Sequence, residues 1–181
     1  MGPEFIGKLR RIAIALVGLA ALLGPAAARA EEPAFVTLGL GEYDIFHNDQ
    51  AGDFMLEYRA DRFYFIHPKL GMEATTDGAF YAYGGFNFDI PMGNHFVLTL
   101  GTAVGHYSNG SGKDLGDTVE FKSGAEIALR LRNRARLAMA LYHISNAGLG
   151  SDNPGTEILG LTYSIPVGSL FQSSSESTSR R

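Results

Sequence analysis

The fold turns on Val119-Glu120-Phe121-Lys122-Ser123-Gly124-Ala125-Glu126-Ile127-Ala128-Leu129-Arg130-Leu131-Arg132. Val119, Phe121, Ala125, Ile127, Leu129 and Leu131 share one face, with Ser123 the single exception. Glu120, Lys122, Glu126, Arg130 and Arg132 share the other. A period of two is the signature of a β-strand. A soluble barrel buries the apolar face, whereas a barrel in lipid turns it outward and fills its interior with polar groups. A shorter stretch repeats the pattern, with Phe54, Leu56 and Tyr58 set against Met55, Glu57 and Arg59. Segments of about 10 residues are long enough to cross a bilayer at a tilt.

Outward from that stretch, eight segments read as strands: 34–43, 53–61, 66–75, 79–89, 94–105, 118–132, 135–145 and 156–165. Turn-forming clusters separate them, among them Asp77-Gly78 and Asn133-Arg134 as tight turns. The expectation is an all-β fold, an eight-stranded antiparallel transmembrane β-barrel with both termini at one end. The interior of so narrow a barrel is filled by side chains. Glu120, Glu126, Lys122 and Arg130 are expected to pair there. The pattern alone leaves a soluble lipocalin-like barrel as the alternative.

Composition narrows the function classes. The 181 residues suit one domain, and 15 Lys+Arg against 19 Asp+Glu give no basic excess for nucleic acid. The absence of cysteine excludes thiolate catalysis, disulfides and Cys-ligated metals. Lys8, Arg10 and Arg11, the apolar run Ile12 to Leu23 and Ala28-Arg29-Ala30 read as a signal peptide spanning 1–30. The run is short of the roughly 20 residues of a membrane anchor. Met1 to Phe5 reads as a cloning remnant. Residues 31–171 are then the barrel, and 172–181 a Ser-rich disordered tail.

The residues that carry chemistry end the seventh segment. His143 and Ser145 are two apart on a strand, so they share a face about 7 Å apart. Glu157, near the start of the eighth segment, returns beside them after the loop 146–155. Three polar side chains on a lipid-facing surface are unfavourable without a purpose. A serine becomes a nucleophile when a base takes its proton, and a carboxylate orients a histidine for that work. Asn146-Ala147-Gly148 offers backbone N–H groups beside the serine for an oxyanion. Read blandly, His143 and Ser145 are interfacial polar residues and Glu157 is a loop charge.

His143-x-Ser145-Asn146-Ala147-Gly148, followed by Asn153-Pro154-Gly155-x-Glu157 and a closing strand, resembles the PagL-type lipid A 3-O-deacylases. The resemblance implies an outer-membrane barrel whose active site lies on its outside surface. It implies His143 as base, Ser145 as nucleophile and Glu157 as orienting acid, with the amides of Ala147 and Gly148 as oxyanion hole. Asn146 and Asn153 are expected to support them. The substrate class implied is lipid A of lipopolysaccharide, losing an ester-linked 3-hydroxyacyl chain in the outer leaflet. Leu137, Met139, Leu141, Leu159 and Leu161 are expected to hold that chain. Neither cofactor nor metal is expected, and the oligomeric state is open, a homodimer included. The chain departs from the family pattern in passing Phe171 and continuing to Arg181. A structural or adhesive barrel and a lipid acyltransferase are the rival readings.

A second motif competes. His106-Tyr107-Ser108-Asn109-Gly110 repeats the H-x-S-N pattern, and Glu120 repeats the serine-to-glutamate spacing. Glu120 falls on the charged face of its strand, so it is expected to point inward, away from His106. His106 to Gly110 then reads as a polar loop. His47, His67 and His95 read as loop or interfacial residues. Phe80, Tyr81, Tyr83, Phe86 and Phe88 read as an interfacial aromatic girdle.

Overall fold

A computed structural model of the chain describes residues 32–47 and 49–168. The expected signal peptide, Glu31 and the expected tail lie outside the described residues. The strands are β1 (Phe35–Tyr43), β2 (Ala51–Arg59), β3 (Ile66–Thr75), β4 (Phe80–Met92), β5 (Phe96–Ser108), β6 (Val119–Arg130), β7 (Arg136–Ser145) and β8 (Thr156–Pro166). Each pairs antiparallel with the next, and β1 closes on β8. Closure leaves no strand edge unpaired, which a spanning sheet requires.

Local chemistry sets the turns. Gly78 takes φ +93 between Thr75 and Ala79, whose backbones are hydrogen-bonded at 3.0 Å. Arg134 takes the left-handed conformation in the Leu131–Ala135 turn, where Asn133 Oδ1 accepts the Ala135 N–H at 3.1 Å. Two strands outrun their expected ends. β4 continues through Pro91 to Met92, and β5 continues through His106 to Ser108. His106 to Ser108 is therefore strand rather than loop.

The wall has the expected inverted polarity. Phe54, Leu56, Tyr58, Val119, Phe121, Ile127 and Leu129 are exposed on the outside, while Glu57, Arg59, Lys122 and Glu126 are buried within. A water-soluble barrel would carry the reverse. The interior is held by ion pairs. Arg59 bridges Glu57 at 2.6 Å and Glu126 at 2.5 Å, and Lys69 approaches Glu57 at 3.3 Å. Tyr83 and Tyr142 donate to Glu57 at 2.8 Å and Glu126 at 2.7 Å. Lys122 pairs with Glu73. Removing one partner of such a pair leaves a buried charge and costs about 3–5 kcal/mol.

Two expectations about the interior are corrected. Lys122 pairs across the barrel with β3 rather than with Glu120, whose carboxylate oxygens have no hydrogen-bond partner among the described residues. Arg130 pairs with Glu32 at 2.6 Å, at the end where β1 begins and β8 finishes. Tyr81 and Tyr83 are also buried inside, stacked on each other, because odd positions of β4 face inward. Only Phe80 and Phe86 of that aromatic group are exposed on the wall as large hydrophobics.

Candidate active site

The site is built by the pairing of β7 with β8. Going up the wall, Leu137 faces Tyr163, Met139 faces Leu161, Leu141 faces Leu159 and His143 faces Glu157. Direct antiparallel partners carry their Cβ atoms about 4.5–5.5 Å apart. His143 Nδ1 accordingly meets Glu157 Oε1 at 3.1 Å. The histidine side chain is 46% exposed, so it stands open to whatever lies against the wall. With Nδ1 engaged by the carboxylate, Nε2 is the nitrogen left to receive a proton.

Ser145 lies on the same outward face, two residues above His143 at the end of β7, with Phe121 of β6 as its cross-strand neighbour. Its Oγ makes no hydrogen bond among the described residues. The structure thus joins His143 to Glu157 and sets Ser145 beside them with its hydroxyl uncommitted. Nucleophile–base contacts are often loose before substrate arrives. Below, Met139 and Leu161 are 59% and 60% exposed, and Leu137, Leu141 and Leu159 are also exposed. The five expected chain-holding residues form one apolar strip on the two strands that carry His143 and Glu157.

The loop above is shaped by Asn146, which is fully buried. Its Nδ2 donates to Leu115 O at 2.8 Å and Asp152 O at 2.7 Å. Its own N–H donates to Asn153 Oδ1 at 3.0 Å. Both asparagines therefore set the loop's path. Ala147 and Gly148 follow at φ 54 and φ 79, a consecutive left-handed pair. The two amides are not equivalent. Gly148 N–H is taken by Asn146 Oδ1 at 2.8 Å, whereas Ala147 N–H has no acceptor among the described residues.

Gly155, which the sequence offered only as part of the motif, borders His143. It sits at φ +61, and a Cβ there would lie 2.9 Å from His143 Cε1. Its place in the Asn153-Pro154-Gly155 turn was the available signal. Two loop residues were missed, Asp44 and Lys113. Asp44 is completely buried at the mouth and accepts from Lys113 Nζ at 2.6 Å, from the Asp49 N–H at 3.2 Å and from Thr156 Oγ1 at 3.2 Å. Burial pushes the Asp44 carboxyl up, but Lys113 and the Asp49 amide outweigh it and hold it below the usual carboxylate range.

The competing motif separates in space. His106 of β5 faces Val119 of β6 and points outward, while Glu120 faces Gly105, points inward and is 0% exposed. Glu120 cannot reach His106. Of the other histidines, His47 lies in a loop as expected, and His67 departs from expectation. His47 has a partner, Asp44 Oδ1 at 3.2 Å. His67 is buried inside the barrel, 3.6 Å from both Glu32 and Asp89. The ligand atoms of those three lie within 4.8 Å of one another, a spacing that could hold a metal ion. Arg136 already occupies both carboxylates at 2.6 Å, and Arg130 takes Glu32 as well. The cluster is thereby neutralised without a cation.

The inside-out polarity of the closed wall defines a membrane β-barrel, with a His–Glu pair and a serine on its outward face. Residues 68–166 match the family model for Lipid A 3-O-deacylase (PagL), and the chain belongs to that family. No sequence among the curated proteins matches it. Among solved structures, the outer membrane enzyme PagL is similar at TM-score 0.57 and 20% identity, over 74% of this chain and 99% of that one. Neisserial surface protein A is similar at TM-score 0.58 and 6% identity, over 76% and 99%. A de novo designed transmembrane β-barrel is similar at TM-score 0.55 and 9% identity, over 76% and 98%. At these identities the structural likenesses speak for the fold alone, and the family match speaks for the chemistry.

Proposed function

We propose that the chain is a serine-type lipid A deacylase of the outer membrane, removing the ester-linked 3-hydroxyacyl chain from the 3-O position. The observation that carries this reading is the 3.1 Å contact between His143 Nδ1 and Glu157 Oε1 on the outward face that Ser145 shares. Lipid A approaches laterally in the outer leaflet, its acyl chain lying along Leu137, Met139, Leu141, Leu159 and Leu161. Ser145 Oγ attacks the ester carbonyl as His143 Nε2 takes the hydroxyl proton. Glu157 holds the ring and stabilises the imidazolium. Ala147 N–H receives the oxyanion, and Gly148 N–H joins once Asn146 Oδ1 releases it. The tetrahedral intermediate collapses, the ester C–O bond breaks, and His143 gives its proton to the departing sugar oxygen. Water, activated by His143 in turn, attacks the acyl-serine and frees the 3-hydroxy fatty acid.

The test is product identification with the purified full-length barrel and lipid A in detergent. The reading predicts free 3-hydroxy fatty acid together with a lipid A lighter by that one chain. A heavier lipid acceptor without free acid would make the protein an acyltransferase. No change in the lipid, with the barrel folded, would leave it a structural barrel.

A further inference from the structure

The side chains at the site face lipid, yet their strands are braced from inside the barrel mouth. The loop between β5 and β6 lies over that mouth, with Leu115 fully buried. Asn146 Nδ2 holds Leu115 O on the β7 side. Tyr107 OH donates to Lys113 O at 2.8 Å and meets Tyr43 OH at 2.9 Å. Lys113 Nζ then reaches Asp44, which follows β1 and takes φ 60. Asp44 and its neighbour Ile45 each touch the strand that carries Glu157 once. Thr156 Oγ1, one residue before Glu157, donates to Asp44 Oδ1 at 3.2 Å. The N–H of Ile45, one residue after Asp44, donates to Glu157 O at 3.3 Å.

We infer that Asp44 is a positioning residue for Glu157: with Lys113 it clasps the top of β8 at Thr156 and so holds the carboxylate in line with His143. Asp44 touches neither His143 nor the substrate wall, because its side chain is buried inside the mouth. Its effect passes through the β8 backbone. The inference rests on the catalytic reading above, in which Glu157 orients His143. A misplaced Glu157 lowers turnover while leaving the apolar strip that binds the acyl chain untouched, so kcat should fall and KM should hold.

The test uses full-length protein carrying Asp44→Asn, Thr156→Val or Glu157→Gln, each also combined as D44N/E157Q and T156V/E157Q, with Ser145→Ala as reference. Assembly of each barrel is confirmed by its shift in gel mobility on heating. Asp44→Asn and Thr156→Val should each lower kcat for release of 3-hydroxy fatty acid several-fold, with KM within about twofold of wild type. In the Glu157→Gln background neither should cause a further loss, because the residue they position is gone. Losses that multiply in the double variants would mean a general role in stability and overturn the inference. So would unchanged kcat in both single variants. Should Asp44→Asn fail to assemble, Thr156→Val alone decides, since it keeps the Asp44–Lys113 pair. An active Ser145→Ala would instead overturn the catalytic reading, which separates the two failures.

Discussion

His143-Ile144-Ser145-Asn146 at the end of β7 and His106-Tyr107-Ser108-Asn109 at the end of β5 are near copies in sequence and differ in what their histidines face. Both stand at upper strand ends, both present histidine and serine outward, and both are followed at the same spacing by a glutamate at the second position of the next strand. The difference is one residue of register. β7 pairs with β8 so that His143 faces Glu157, whereas β5 pairs with β6 so that His106 faces Val119. A slip of one residue sends a side chain to the other face of a sheet. What fixes β6 in its register is its own interior face, where Lys122 and Glu126 have partners on β3 and β2. Whether a histidine on a barrel wall meets its carboxylate is decided by which face the carboxylate takes. Spacing in the chain does not settle that.

This comparison can be broken most severely at the histidines. His143→Gln should lower fatty-acid release by at least about 10³-fold, in line with the loss of a serine enzyme's base. His106→Gln should stay within about twofold of wild type, measured on the same lipid. Glutamates come next. Glu157→Gln should cost roughly 10²-fold or more in kcat, since orientation is partly replaceable, and Glu120→Gln should cost nothing. The interior offers a matching contrast in stability. Glu126→Gln strips one of the two charge partners of buried Arg59, leaving Glu57, and should lose up to about 3 kcal/mol in urea unfolding. Glu120→Gln should lose less than about 1 kcal/mol, because no side-chain partner is left behind. A smaller effect is expected at Gly155→Ala, where the added methyl crowds His143 at a positive φ. A drop of about tenfold in kcat with normal assembly would fit.

The smallest effect concerns acid. Asp44 is held below its ordinary range in the folded barrel. The unfolded chain therefore binds the proton more readily, and the clasp adds stability that is complete above about pH 4. It is lost as pH falls through the lowered value. Protection from hydrogen exchange at the top of β8, taken relative to the intrinsic rate at each pH, should fall below that range in wild type, and Asp44→Asn should remove the fall. Protection that is independent of pH in wild type would remove Asp44 from the account.

Much of the fold was legible because alternation reports burial directly. Once Val119, Phe121, Ile127 and Leu129 faced one way and Glu120, Lys122 and Glu126 the other, strand and wall polarity followed. The site was legible for the same reason: His143, Ser145 and Glu157 break an outward apolar row. Less legible was the identity of interior partners. Lys122 finds Glu73 and Arg59 finds Glu126 across the barrel, at separations that no local pattern encodes. The tyrosines of β4 were misplaced because Phe80-Tyr81-Ala82-Tyr83 puts aromatics on both faces, so composition outweighed parity. Asp44 meets Lys113, and Asn146 meets Leu115, only because loops cross the mouth, and loop paths depend on closure of the barrel.

The central claim is that the constellation on β7 and β8, and not its copy on β5 and β6, removes an acyl chain from lipid A. Wild type, Ser145→Ala and Ser108→Ala would be produced in a Gram-negative host, assembly confirmed, and lipid A examined by mass spectrometry. The account predicts loss of one 3-hydroxyacyl chain with wild type and Ser108→Ala, and an unaltered lipid A with Ser145→Ala. Deacylation that survives Ser145→Ala, or vanishes with Ser108→Ala, would contradict it.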